Sequence, residues 1–396
     1  SDAVNGITVY EGGMPAQYGG RLSSVLDIRM NDGNNQDFDV SGGVGLISAK
    51  LNVEGPIQKD KSSFLIPGRR TYADMFLKLS DQYKDNSLYF YDVNAKVNYI
   101  LGEKDRLYVS GYFGKDKLSA SFGEGQGFGL DWGNATATLR WNHIFNNKLF
   151  SNTSFIFSNY NYKISIKMGA YDFNIFSQIQ DFNLKEELQW YLNNKNTIKI
   201  GFNSIYHTIR PGEVTSGDES TLTSTQLQKR YSWENAVYAT NNWKALDNVN
   251  VSYGLRLSAF SILGKGDFYN VAPNGEVLDT MHYGNGDVVK TYLNLEPRIA
   301  ASWQFNNTSS IKASYVRNTQ NLHLISNSTS SSPTDKWLAS TNIIKPEISD
   351  QVSVGYYKDF TKNYELTVEA YYKTMQNQID YRDGANIYSS NNAIES

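Results

Sequence analysis

Apolar and polar residues alternate with a period of two along much of this chain. In NVNVSYGLRLSAF (248–260), Val251, Tyr253, Leu255, Leu257 and Ala259 form one face, and Ser252, Gly254, Arg256 and Ser258 form the other. YLNLEPRIAASWQF (292–305) repeats the pattern, with Leu295, Pro297, Ile299, Ala301, Trp303 and Phe305 opposite Asn294, Glu296, Arg298, Ser302 and Gln304. YELTVEAYYK (364–373) does so again, with Tyr364, Leu366, Val368, Ala370 and Tyr372 opposite Glu365, Thr367, Glu369, Tyr371 and Lys373. Successive side chains of a strand point to opposite sides, so each segment predicts a strand with one apolar and one charged face. A β-sandwich would alternate in the same way. Length separates the two: a strand needs about 9–11 residues to cross a bilayer, whereas soluble strands cluster near about 5–6. These segments run past ten residues.

Seven short polar turns punctuate the pattern: QKDK (58–61), GEKD (102–105), NNK (146–148), NNKN (193–196), LDN (246–248), NNT (306–308) and TKN (361–363). About 40 to 60 residues separate consecutive turns, room for one strand out, a loop of variable length and one strand back. Short turns at one end and long loops at the other are the wiring of a transmembrane β-barrel. Counting from Phe38–Gly45 and Ala49–Ile57 to Tyr364–Gln376 predicts about fifteen strands. The apolar residues Val251, Leu255, Leu257, Leu366 and Val368 are then expected to face lipid, and Arg256, Arg298 and Glu369 the lumen.

Composition supports a barrel. Aromatics are 14% of the chain, with 28 Tyr, and Trp190, Tyr191, Trp243, Trp303 and Phe305 stand beside turns, as interfacial girdles require. No apolar run approaches the about 20 residues of a membrane helix, and mean hydropathy is −0.49. A polar lumen and polar loops account for that average in a barrel. With no Cys there are no disulfides, thiolate metal sites or thiol nucleophiles, and a net charge of −3 without a basic stripe argues against nucleic acid.

The segment ITVYEGGMPAQYGGRLSSVLDIRMNDGN (7–34) is built differently. It resembles the C-terminal end of the plug domain of TonB-dependent outer-membrane receptors, where a strand, a Gly turn, a Tyr-Gly element and a last apolar strand lead into the barrel. Ile7 to Tyr10, Gly12-Gly13, Tyr18-Gly19-Gly20 and Val25 to Met30 take those roles. Glu11-Gly12-Gly13 replaces the family's usual Arg-Gly turn, and Asp27-Ile28-Arg29-Met30 its Asn-Ile-Thr-Lys exit, which marks a divergent branch. GPIQKDKSSFLIPGRRTYAD (55–74) resembles the family's first periplasmic turn and next strand, and LNLEPRIAASWQF (293–305) a mid-barrel strand carrying its Glu-Pro-Arg. The resemblance implies residues 1–34 as the end of a plug and 35–396 as a transmembrane antiparallel β-barrel with long extracellular loops. It also implies a receptor of the Gram-negative outer membrane, surrounded by outer-membrane lipid and importing a scarce nutrient. Its energy would come from the TonB–ExbB–ExbD complex. No catalytic residue, metal or cofactor follows from the resemblance. Apart from it, the polar composition of the loops would suit a glycan or a large polar nutrient, and equally solvent or a surface lipoprotein lid as a further partner. An odd strand count leaves the two chain ends on opposite sides of the membrane, whereas single-chain bacterial barrels have even counts. The expectation is a fragment, short of the family's barrel of about 22 strands by roughly seven and lacking signal peptide, TonB box and most of the plug.

Site chemistry is sparse. His143, His207, His282 and His323 fall at no ligand spacing, which predicts interface or loop roles rather than metal. Asp32, Asn34 and Asp37 lack the Gly and Glu of a calcium loop and read as a polar linker. The glycines of GEGQGFGLDWG (123–133) open no helix and are loop, not phosphate cradle, and no Gly-x-Ser-x-Gly elbow occurs. Lumen charges such as Arg256, Glu296, Arg298, Lys312, Glu365 and Glu369 are expected to hold the plug. Ligand contacts are expected from long loops on a rigid scaffold. The candidates are Tyr72, Phe76, Trp132 and Trp337. TYADMFLKLS (71–80) predicts a short helix with Tyr72, Met75, Phe76 and Leu79 on one face. The loops 211–226, 264–288 and 319–347 are rich in Ser, Thr, Asn and Gly. Glu186 falls on the apolar face of Leu184, Leu188, Trp190 and Leu192, so either a β-bulge turns it inward or another protein covers it. Two other functions compete with import: a barrel scaffold of a multi-protein surface assembly or secretion complex, and a diffusion porin.

Overall fold

Period-two alternation produces a strand-dominated molecule. The computed structural model describes residues 4–381 and 394–395, apart from 124, 170, 217–224, 227, 273–275, 326–335 and 362–363. At the N-terminus β1 (Val4–Tyr10) and β2 (Val25–Met30) pair as a separate antiparallel hairpin. The wall begins with β3 (Asp39–Val44), β4 (Ser48–Gln58) and β5 (Ser62–Thr71). After the single turn of helix α1 (Asp74–Leu77) come β6 (Ser87–Ile100), β7 (Asp105–Gly123), β8 (Gln126–Asn146), β9 (Leu149–Met168), β10 (Tyr171–Asn193) and β11 (Asn196–Ser216). Beyond β12 (Thr225–Gln226), a short addition to β11, lie β13 (Arg230–Leu246) and β14 (Val249–Leu263), followed by a loop hairpin of β15 (Gly266–Val271) and β16 (Val277–Tyr283). Next are β17 (Val288–Asn306) and β18 (Ser309–Gln320), a second loop hairpin of β19 (Leu322–Ile325) and β20 (Lys336–Ala339), then β21 (Glu347–Thr361) and β22 (Tyr364–Gln376). Fifteen of these strands form one antiparallel sheet in which each pairs with its neighbours in sequence, with β3 and β22 at the edges. The predicted count therefore agrees with the structure. Among the described residues no helix is long and apolar enough to cross a membrane.

The polar turns connect the strands as the sequence predicts, TKN lying partly outside the described residues. Three share one device: the first Asn accepts a backbone N–H two residues on, Asn146 from Lys148, Asn193 from Lys195 and Asn306 from Thr308, each at 2.9 Å. Such an Asx turn closes the bend with a side chain where the backbone has no partner. A register irregularity sits beside each, at Ile144/Asn146, Tyr191/Asn193 and Gln304/Asn306. Because this end is tied off tightly, surplus strand length projects from the other: β10 runs 23 residues, about twice a membrane crossing.

The faces divide as the alternation requires. On β14, Leu255 and Leu257 are each 46% exposed, while Arg256 between them is 1% exposed. Leu366 and Val368 are also exposed on the outward face. Near the turns Trp141, Trp190, Trp243, Trp303 and Phe305 stand exposed as one aromatic belt. Inside the sheet, Tyr112, Tyr238 and Tyr357 lay their rings over Gly114, Gly201 and Gly355, where any Cβ would collide with them. Glu186 stays outward: no irregularity interrupts β10 between Gln178 and Tyr191, and the carboxylate accepts a hydrogen bond from Thr153 Oγ1 at 2.5 Å. The bulge alternative therefore fails. Helix α1 is shorter than expected, and Met75, Phe76 and Leu79 are exposed rather than packed.

Above the polar lumen the inward face turns apolar. Ile209, Phe260 and Ile262 of the wall pack with Phe268 of β15, Leu322 of β19 and Ala339 of β20 as a buried cluster, with Ile179, Met281, Tyr283 and Tyr292 around it. Both loop hairpins are thus folded into the mouth. Burying each large side chain is worth about 1.5–3 kcal/mol, enough together to hold the hairpins down.

Candidate functional site

The register of β14 and β17 sets Arg256 directly opposite Glu296, and the alternation places Arg298 on the same inward face two residues on. These three side chains grip the N-terminal segment. Arg298 donates from Nη1 to the carbonyls of Pro15 at 2.6 Å and Tyr18 at 2.5 Å, and from Nη2 to Glu296 Oε2 at 2.7 Å. Glu296, fully buried, accepts on Oε1 from Ser258 Oγ at 2.9 Å and Thr319 Oγ1 at 3.0 Å, with Arg256 Nε at 3.8 Å. Arg256 Nη1 lies 3.5 Å from the carbonyl of Ala16. Burying an ion pair costs several kcal/mol of desolvation, which only a full set of hydrogen bonds offsets. Backbone carbonyls from the segment supply part of that set, although Arg256 Nε and Arg298 Nε have no hydrogen-bond partner among the described residues, so the triad specifies where residues 15–18 sit.

The Tyr18-Gly19-Gly20 element is explained by the same contacts. A Cβ on Gly19 would enter the guanidinium of Arg256, and Gly20, at φ +77°, turns in the left-handed region against the carboxylate of Glu234. Tyr18 donates to Asp27 Oδ2 at 3.2 Å, lies 5.6 Å from the Tyr10 ring and takes Lys185 Nζ over its face at 5.8 Å. Burial, and next the charge of Asp27, push its phenol up to about 12. Further along, Lys373 Nζ donates to Leu22 O at 2.7 Å, and Lys96 Nζ to Met30 O at 2.9 Å and Asp32 Oδ1 at 2.6 Å. Asn34 Oδ1 accepts from the backbone N–H of Gln36 and Asp37, an Asx turn inside the linker. Between the segment and strands β18, β21 and β22 a cleft of about 960 Å³ remains, lined by Glu11, Lys312, Glu369, Tyr357 and Lys373 among others. There Lys312 lies 4.2 Å over the Tyr357 ring, whose hydroxyl donates to Glu369.

The four expected ligand contacts are dispersed. Trp132, on the inward face of β8, packs against the cluster of Leu130, Tyr162 and Ile164. Trp337, on β20, receives the guanidinium of Arg21 at 5.5 Å. The Tyr72 hydroxyl ties down the β3–β4 loop by donating to Gly45 O, with Ser48 O at 3.2 Å, while Phe76 is exposed on α1. The four stand on separate elements, β8, β20 and the 72–76 turn, and parts of the three long loops (217–224, 273–275 and 326–335) lie outside the described residues.

The histidines divide. His143 meets Asp105 at 2.7 Å beside Trp141 at the turn end, and His282 meets Asp267 at 2.7 Å across the outer hairpin. The hydrogen bond from His282 holds the Asp267 carboxyl below its ordinary range. His207 and His323, expected at interfaces or in loops, are instead buried in the mouth. Among the described residues no group of three or more ligating side chains could hold a metal ion. Sequence reasoning passed over Glu234 and Asn321, which bond at 3.1 Å beside Gly20. The signal for Glu234 was there, since it alternates with Trp233 and Asn235 and shares its face with Ser232 and Ala236.

Compared with known proteins, the chain matches the family described as TonB dependent receptor-like, beta-barrel, over residues 59–395. No curated protein sequence matches it. Among solved structures it is similar to the copper transporter OprC, with TM-score 0.68 and 13% identity over 96% of this chain and 60% of that one. It is similar also to the alcaligin outer membrane receptor FauA from Bordetella pertussis, with TM-score 0.65 and 12% identity over 98% and 60%. The ferric yersiniabactin uptake receptor FyuA from Yersinia pestis gives TM-score 0.66 and 12% identity over 94% and 60%. At these identities the fold is what is shared, and the chain spans about 60% of the length of these structures.

Proposed function

Since the chain belongs to the TonB-dependent receptor β-barrel family, whose members are transport receptors of the Gram-negative outer membrane and not enzymes, we propose that it serves active import of a scarce solute. In this reading residues 1–34 are the end of a plug, residues 35–396 are barrel, and the TonB–ExbB–ExbD complex supplies the energy. One observation carries it: the N-terminal segment is bound inside the lumen through Arg298, Arg256 and Lys373. A diffusion porin has no use for an obstruction held by buried charge. The grip is made of hydrogen bonds to backbone carbonyls, which a pull can break one at a time, and the polar cleft beside it offers a route once the segment moves. Phe76, exposed on α1, and Trp132, on the inward face of β8, are the better candidates for solute contact, while Tyr72 ties down the β3–β4 loop and Trp337 receives Arg21.

Uptake of candidate solutes by cells with and without ExbB tests this. Import should vanish without ExbB, and uptake that continues unchanged refutes active transport. Glu186 favours a second reading, a wall that docks another membrane protein, because a carboxylate among lipid-facing Leu184 and Leu188 costs free energy that a partner could offset.

A further inference from the structure

Three parts of the molecule meet at the carboxylate of Glu234. The residue belongs to wall strand β13. Asn321, at the root of the β19–β20 hairpin, donates from Nδ2 to Glu234 Oε2 at 3.1 Å. Gly20 of the N-terminal segment lies so near Oε1 that a Cβ there would stand 3.3 Å from it. On the remaining side is His207, with Nε2 4.0 Å from Oε2 and Nδ1 2.7 Å from Asp181 Oδ1. Glu234, His207 and Asn321 are 5%, 3% and 1% exposed. At such burial polar atoms are nearly always paired, yet His207 Nε2 and Asn321 Oδ1 have no hydrogen-bond partner in the protein.

Glu234 therefore has one donor bonded, Asn321 Nδ2, and the unpartnered His207 Nε2 just beyond bonding distance. We propose that Glu234 is a two-position relay between the outer hairpin and the N-terminal segment. Bonded to Asn321, the carboxylate stands beside Gly20, close enough that a Cβ there would crowd it. When the hairpin root carries Asn321 away, the carboxylate turns to His207 Nε2 and releases Gly20. In the second position both ring nitrogens face a carboxylate, Nδ1 that of Asp181 and Nε2 that of Glu234, so the turn of Glu234 is accompanied by uptake of one proton from water onto Nε2. Coupling between distant sites requires an element with two discrete arrangements that both sites bias, and this geometry supplies one. The hairpin and the segment also touch directly, through Arg21 over Trp337, and the Leu22 N–H donates at 3.3 Å to Oε1 of Gln320, the last residue of β18 before the hairpin, so displacement of the hairpin pulls on the same short stretch. The purpose of such a relay rests on the import reading, but its test does not.

Hydrogen exchange of the Tyr18 amide, bonded to Pro15 O at 3.2 Å and clear of the hairpin, reports the state of the segment in the intact protein in its own membrane. Asn321→Ala should speed that exchange about tenfold, as expected for loss of one buried hydrogen bond to a charged group, and Glu234→Ala should do the same. The double variant should exceed neither single one. A product of the two effects, about a hundredfold, means that the residues act separately and overturns the relay. So does an Asn321→Ala variant that exchanges like wild type. In His207→Phe, which keeps a ring against Phe260 but removes the alternative partner, the Asn321→Ala effect should shrink to about threefold or less. Persistence of the full effect there overturns the second position. Asn321→Ser replaces Asn321→Ala if the latter does not fold, and the same outcomes decide. Loss of import on ExbB deletion is read separately, so the relay and the transport reading fail independently.

Discussion

Strand β14 carries two different interiors on one face. Its lower inward positions, Arg256 and Ser258, hold the N-terminal segment or its partners by directed hydrogen bonds. Its upper ones, Phe260 and Ile262, hold two loop hairpins by apolar contact alone. The backbone is continuous between them and the period unbroken, so only the chemistry of alternate residues changes. A charged grip is specific and collapses when one member is lost, because its partners are then buried without compensation. An apolar grip degrades in proportion to the volume removed. The two halves should respond to mutation in correspondingly different ways.

The sharpest break is Arg298→Ala, which strands Glu296 and two carbonyls in a dry site. It should cost about 3–5 kcal/mol, read as a lowered thermal midpoint together with protease sensitivity around residues 15–22. Replacing Arg256 by Met, Glu296 by Leu and Arg298 by Met together should recover most of the midpoint, and failure to do so means that the charges stabilise rather than specify. In the upper half Ile209→Ala should cost about 2–5 kcal/mol, with new cleavage greatest in the two hairpins and weaker near residue 18, which the hairpins reach through Glu234 and Trp337. If cleavage at residue 18 equals that in the hairpins, the halves are one cooperative unit. Gly19→Ala should cost about 1–3 kcal/mol, because the Arg256 guanidinium has to retreat, and Arg256→Lys should relieve it. The smallest effect is one of pH. The folded carboxyl of Asp267 lies below its unfolded value of about 3.9, so its contribution to the outer hairpin is complete above that value and is lost as pH falls through the lower folded one. Limited proteolysis of 266–283 should therefore accelerate only below about pH 4, and His282→Gln should move that threshold upward.

What was legible in the chain was what is local. Period-two alternation displays both faces of a strand within ten residues, and an Asn at the head of NNK closes its own turn, so strands, turns and the aromatic belt could be read directly. Arg256, Glu296 and Arg298 were readable as lumen charges for the same reason. Their partners were not, because the carbonyls of Pro15, Ala16 and Tyr18 carry no sequence signature. The inward folding of the hairpins was equally hidden, since Phe268, Leu322 and Ala339 meet the wall only in three dimensions. There was one missed hint: the apolar positions of β14 pass from odd to even at Ala259–Phe260, which marks where the lumen ends and the mouth begins. Asn321 and His207 could not be joined by spacing, as 114 residues separate them (321 − 207).

The grip of Arg298 on Pro15 has a consequence for the order of events in folding. Every wall strand pairs with a neighbour in sequence, whereas this contact spans 283 residues. Contacts between near neighbours close small loops and form early, while a link of that span waits until the wall already presents both Arg256 and Arg298. The N-terminal segment, made first, should therefore dock last, leaving the lumen open for much of assembly. Pulse labelling during refolding should protect the amides of β13, β14 and β17 well before that of Tyr18, and simultaneous protection would show instead that the wall closes around a segment already in place.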